Sequence, residues 1–279
     1  MCHAAVPAPA SAERERAEVS LTTWETVITG LNAAVLIGTV AGSIRLLRRR
    51  PRSLTVFYFH FAIISDLTAM LYWLAFDLLL IQTRMPFAAN EFAEAAAFLM
   101  LAASLNAAEG GSFRDARTEV ALAAVFGVCN AALWVTWNGE WAEFILGGAA
   151  FTYFLCVCAR CLKHSGALNR CQWIVLGAGS LVVLLLQLGW IAWAPAHPVM
   201  DHIATAPAVA MVLLWIIRLV RAIRRGESWQ RRFILAVCAF AWCTTVMYMT
   251  TGWWYLAAEL LNIIITPLML LQLEREAEP

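Results

Sequence analysis

Four polar side chains interrupt the apolar stretch "TGWWYLAAELLNIIITP" at residues 251–267. On a helix stepping about 100° per residue, Tyr255, Glu259, Asn262 and Thr266 share one stripe roughly 60° wide. A carboxyl group there costs about 2.5–3.5 kcal/mol at mid-membrane on insertion scales, so such a residue reads as functional by default. The chemistry open to it is proton donation. An acid in an apolar, aromatic-walled pocket can protonate an alkene or an epoxide, and indole or phenol faces stabilise the resulting carbocation. On this reading Glu259 is the acid, and Tyr255 and Asn262 orient it through hydrogen bonds from four residues back and three residues on. His60 and Asp66 also lie deep in an apolar segment, and Asp77 sits nearer its boundary, with Trp73 between the two aspartates. Asp66 is the second candidate acid. For each acid, a hydrogen bond that merely fixes helix packing is the competing explanation.

The elements that must hold these residues are membrane helices. The chain of 279 residues is 62% hydrophobic and 14% charged, too apolar for a soluble domain of this size. Apolar stretches of about 20 residues recur, the length that crosses a ~30 Å hydrocarbon core. The pattern predicts an all-α, polytopic membrane bundle of about nine transmembrane helices, at 24–46, 54–80, 87–108, 118–138, 142–162, 172–194, 204–224, 232–250 and 253–273. The last two come from one continuous apolar run, with "TTGWW" supplying a glycine for the turn. Residues 1–23, Ala/Pro-rich and without an apolar signal-peptide core, form a disordered tail; 24–273 are the membrane domain and 274–279 a short tail.

Charge placement sets the orientation. Arg45–Arg52, Arg114 and Arg117, Arg160–Arg170, Arg218–Arg232 and Arg275 fall in alternate loops or the C-terminal tail, and hold most of the 20 basic residues. The positive-inside rule makes these cytoplasmic, with the N-terminus outside and the C-terminus cytoplasmic, in a multi-pass protein of the cell membrane. The opposite boundary is aromatic: Trp24, Trp134, Trp137, Trp141, Trp190, Trp193, Trp253 and Trp254. They form either an interfacial belt or the wall of a cavity opening outward.

Several chemistries are disfavoured. Net charge is +1, which gives no basis for binding nucleic acid. Cys156, Cys158, Cys161 and Cys171 lie at the cytoplasmic edge with no His-rich loop beside them, as packed thiols rather than a metal cluster. His197, Asp201 and His202 lack the fixed helical spacing of a metal site. No metal or other cofactor is expected. Retinal needs a mid-span lysine, and the sole lysine, Lys163, lies in a loop.

Two strings resemble the small integral-membrane terpene cyclases of meroterpenoid and indole-terpenoid biosynthesis. "RTEVALAAVFGVCN" (117–130) is similar to that family's Arg-Thr loop leading to a Cys-Asn pair, and "RGESWQRRFILAVC" (225–238) to its loop into the penultimate helix. The resemblance covers roughly 87–276 and leaves the first two spans extra. It implies that Glu259 is the counterpart of the family's second acid, an Asp there. The family's first acid follows its Asn as x-x-Trp-Glu; here Asn130 is followed by Ala131, Ala132, Leu133, Trp134 and Val135. Glu140, Glu143 or Asp66 would have to take that place. The expected function is acid-initiated cyclisation or isomerisation of a lipophilic isoprenoid drawn from the lipid bilayer. Glu259, Asp66, Tyr255 and Asn262 are then catalytic candidates, and Asn130, Trp134, Trp253 and Trp254 line the substrate. A proton-coupled transporter of a small or amphiphilic solute is the alternative, and a multi-pass membrane sensor the third reading.

Overall fold

In a bilayer a backbone must satisfy its own hydrogen bonds, and for apolar segments of this length the helix is the local solution. The computed structural model describes residues 9–79, 89–110, 117–137, 141–193, 199–250 and 252–275. Among these it forms nine helices and no strand: α1 (Pro9–Arg49), α2 (Leu54–Leu79), α3 (Ala89–Glu109), α4 (Arg117–Trp137), α5 (Trp141–Ser165), α6 (Arg170–Trp193), α7 (Val199–Arg224), α8 (Trp229–Met249) and α9 (Gly252–Glu274). The protein is a polytopic helical bundle. Seven segments of the described residues are long and apolar enough to cross a membrane: Thr23–Arg49, Leu54–Ala75, Asn90–Glu109, Leu146–Ser165, Thr205–Arg224, Trp229–Tyr248 and Gly252–Glu274. The helices α4 and α6 occupy the other two expected spans, and many of their side chains lie outside the described residues. Helix α1 continues back to Pro9, N-terminal of its apolar part.

Two glycines set the breaks that matter for the site. The apolar run of α8 and α9 divides where Thr250 turns extended and Gly252 takes φ 63°. That left-handed backbone carries a steric penalty for any residue with a Cβ. At the end of α7, Gly226 at φ 62° closes a Schellman turn, its N–H bonding Ile223 O at 3.2 Å while Glu227 N–H bonds Ala222 O at 3.1 Å.

Helix α8 is the centre of the bundle, touching α3, α5, α7 and α9. Phe233 to Ala241 are buried without interruption, as expected of a helix apolar on every side. Packing of α1 on α2, α2 on α3, α3 on α8, α8 on α9 and α9 on α1 closes a ring of five helices. Outside it, α4 packs on α5 and α6 on α7.

The described arginine-bearing helix ends and loops gather at one end of this bundle. Ser104 Oγ donates to Thr55 O at 2.9 Å, Arg231 Nε to Ser165 O at 2.9 Å, and Arg218 Nη2 to Ala167 O at 2.6 Å. Arg160 reaches Asn106 on α3 and Glu119 on α4, the latter at 3.2 Å. Leu36, Phe59, Leu101, Phe233 and Met269, one from each ring helix, are fully buried in a single core on this side. Phe59 and Phe233 meet edge to face at 6.1 Å. The floor of the ring is solid.

Candidate functional site

Above that floor the ring holds a cavity of about 240 Å³. Helix α2 contributes Asp66, Met70 and Trp73; α3 contributes Asn90, Glu94 and Phe98; α8 contributes Phe240, Thr244 and Tyr248; α9 contributes Tyr255 and Asn262. The spacing explains who points inward. Asp66 to Met70 to Trp73, Asn90 to Glu94, and Thr244 to Tyr248 are each three or four residues apart, one helical face apiece. Glu94 lies five residues inside α3, about 7–8 Å from its start, and Asn262 ten residues inside α9, about 15 Å. The cavity therefore runs from near the end opposite the arginines to roughly mid-bundle.

Two acids face it. Asp66 and Glu94 line the cavity within electrostatic reach of each other, and no Lys or Arg is among the described lining residues. Glu94 is held in place: Tyr248 Oη donates to Oε2 at 2.9 Å and Trp73 Nε1 to Oε1 at 3.4 Å. Asp66 makes no hydrogen bond among the described residues. One acid is clamped and its neighbour is open to the cavity.

A second cavity of about 350 Å³ lies at the seam of α3, α5 and α8, lined by Glu91, Gly147, Gly148 and Phe151, and shares Glu94, Phe98 and Tyr248 with the first. The rings between them interlock. Phe98 sits 4.9 Å from Phe151, and Tyr248 meets Phe151 edge to face at 5.7 Å.

The structure brings three expected residues, Asp66, Tyr255 and Asn262, to one cavity. Glu259 is fully buried at 0% exposure but is not among the lining residues. It faces α1, where Asn32 Nδ2 approaches its Oε1 at 3.4 Å and Met70 Sδ at 3.3 Å. An amide N–H on the Glu259 carboxyl comes from Asn32, and Asn262 Oδ1 has no partner among the described residues. Thr266 completes the stripe by bonding the Asn262 carbonyl of its own helix at 3.0 Å. Trp253 is 63% exposed on the outside of the bundle and Trp254 half-buried; neither lines the cavity. The side chains of Asn130, Trp134, Asp77, Asp201 and His202, and all of His197, lie outside the described residues.

Sequence reasoning missed Glu94, Asn90 and Tyr248. Asn90 and Glu94 form a polar pair at i, i+4, the same signal that singled out Tyr255 and Glu259, but they stand near a helix end where polar residues are ordinary. Tyr248 had no signal, since its tie to Glu94 spans 154 positions.

Polar clusters at the arginine-rich end have structural partners. Cys161 Sγ donates to Glu109 Oε2 at 3.2 Å, and His164 Nδ1 lies 2.7 Å from Glu109 Oε1. Cys158 is buried and Cys171 exposed. In the loop after α7, the Arg218 guanidinium bonds Glu227 at 2.9 Å and holds its carboxyl below the usual range. His60 Nδ1 and Ser43 Oγ join α2 to α1 at 2.8 Å.

The fold and site together define a multi-pass membrane bundle with an acid-bearing, aromatic-walled cavity inside a helix ring. No family model, no curated protein and no solved structure matches the chain.

Proposed function

We propose that this protein is a membrane-embedded enzyme that protonates a lipophilic, unsaturated substrate of the isoprenoid class and so initiates its cyclisation or isomerisation. The observation that carries the reading is Asp66, an acid without a hydrogen bond among the described residues, opening on a cavity walled by Trp73, Phe98, Phe240, Tyr248 and Tyr255. In the first step the Asp66 O–H bond breaks and a C–H bond forms at one alkene carbon, leaving a carbocation at the other. The ring faces stabilise that cation, and a packed cavity keeps water from quenching it. A proton lost from a neighbouring carbon goes to Glu94, two carboxyl groups in one cavity being able to hold and pass one proton. The net change is a rearrangement, and no co-reactant is consumed. Glu259 is a positioning residue in this account, fixing α9 against Asn32 of α1.

A proton-coupled transporter would use the same acid pair. The solid floor of Leu36, Phe59, Leu101, Phe233 and Met269 favours a blind pocket over a path between the two ends. The test is product analysis by gas chromatography–mass spectrometry, with the purified chain in nanodiscs and a panel of acyclic isoprenoids. Conversion of at least one member, lost in Asp66→Asn, supports the reading. Solute exchange across proteoliposomes with no conversion would replace it by the transporter.

A further inference from the structure

The cavity's hydrogen-bonding capacity is one-sided. Asn90 and Asn262 line it at 1% and 6% exposure, and the side-chain oxygen of each has no partner among the described residues. They come from helices on opposite sides of the ring, α3 and α9. To these acceptors Asp66 adds a carboxyl group that makes no hydrogen bond among the described residues. Glu94 adds a second acid, and no Lys or Arg is among the described lining residues to balance either one. Unfilled acceptors in a buried site are costly, and the complement of several acceptors around acids is a positively charged donor. The walls agree: Trp73, Tyr248, Tyr255, Phe98 and Phe240 present the aromatic surface that binds cations once water is excluded.

We infer that this cavity is a binding site for a lipophilic organic cation, an ammonium head on an apolar body, with Asp66 and Asn262, which lie at mid-bundle depth, taking its N–H donors. The inference deepens the proposed function, because it rests on the same cavity being the site, but binding does not require that the site catalyse anything. A stable ammonium head would occupy the place that the reading above gives to the carbocation.

The experiment is equilibrium binding of geranylamine and of geraniol, two probes that share one apolar body and differ in charge. The full chain is held in nanodiscs of zwitterionic lipid, with empty discs as the control for partitioning and Trp fluorescence as the readout. Geranylamine is expected to bind at least about tenfold more tightly than geraniol, and Asp66→Asn to bring the two within about threefold. Asn262→Leu, a second variant, narrows the gap in the same direction. Equal affinities in the wild-type chain would overturn the inference, as would an amine preference that survives both variants. The two readings separate cleanly. Isoprenoid conversion without amine selection removes only this inference, whereas amine selection without any conversion removes the enzyme and leaves the cation site.

Discussion

At the residue scale the account turns on which buried acid touches the substrate. In the proposed reading Asp66 does, so Asp66→Asn should lower turnover by about 10²–10⁴-fold, the range for removing a general acid, with an unchanged thermal melt. Glu259 does not line the cavity, so the opposite pattern belongs to it. Glu259→Gln should keep both fold and turnover, while Glu259→Leu takes the carboxyl acceptor from Asn32 and should cost about 0.6–1.7 kcal/mol in a detergent-solubilised melt. Full activity in Asp66→Asn, or a dead but stable Glu259→Gln, would exchange the two roles. The polar stripe of α9 was legible in the sequence because helical periodicity is local. Which side of that stripe faces a cavity was not: Tyr255 and Asn262 turn toward α2, α3 and α8, whereas Glu259, between them in sequence, turns toward α1. Such a choice is made by neighbouring helices, and Asn32 lies 227 positions away.

At the scale of elements, the helices were legible because lipid leaves a backbone few options, and the glycine at 252 marked the α8–α9 break. Gly252→Ala places a Cβ on a left-handed backbone and should cost about 1 kcal/mol, read as a lower melting temperature than for Ala at the ordinary helical Gly177. The lock between loops gives a pH test. Glu227 is held below the ordinary 4.5 of a glutamate by its bond to Arg218. A depressed acid stabilises the fold fully above its unfolded value and loses that contribution as pH falls through the folded one. The stabilisation from this pair is therefore whole at pH 7 and should fade progressively below about pH 4.5. Glu227→Gln should lower stability by about 1 kcal/mol at neutral pH and converge with the wild-type chain in acid. Parallel pH–melting curves for the two proteins would show that the bond contributes nothing to the fold.

For the whole molecule, the ring of α1, α2, α3, α8 and α9 joins the first three helices to the last two. Its closure through α1 and α9 is a pairing of chain ends that no local pattern announces. The gathering of the described arginine-bearing loops at one end was legible, since each carries its own charge. The positive-inside rule predicts that this end faces the cytoplasm. Cysteines placed at 52 and 228 in a cysteine-free background should resist an impermeant reagent applied outside, and one at 197 should react; the reverse would invert the molecule. The most direct test of the central claim, that Asp66 gives its proton to the substrate, is to run the conversion in D2O and weigh the product. For a single turnover of the wild-type chain pre-equilibrated in D2O, when Asp66 still carries solvent deuterium, the account predicts one deuterium on carbon, and at least about 10²-fold less product from Asp66→Asn of unchanged melting temperature. Product free of deuterium, or formed equally well by Asp66→Asn, would contradict it.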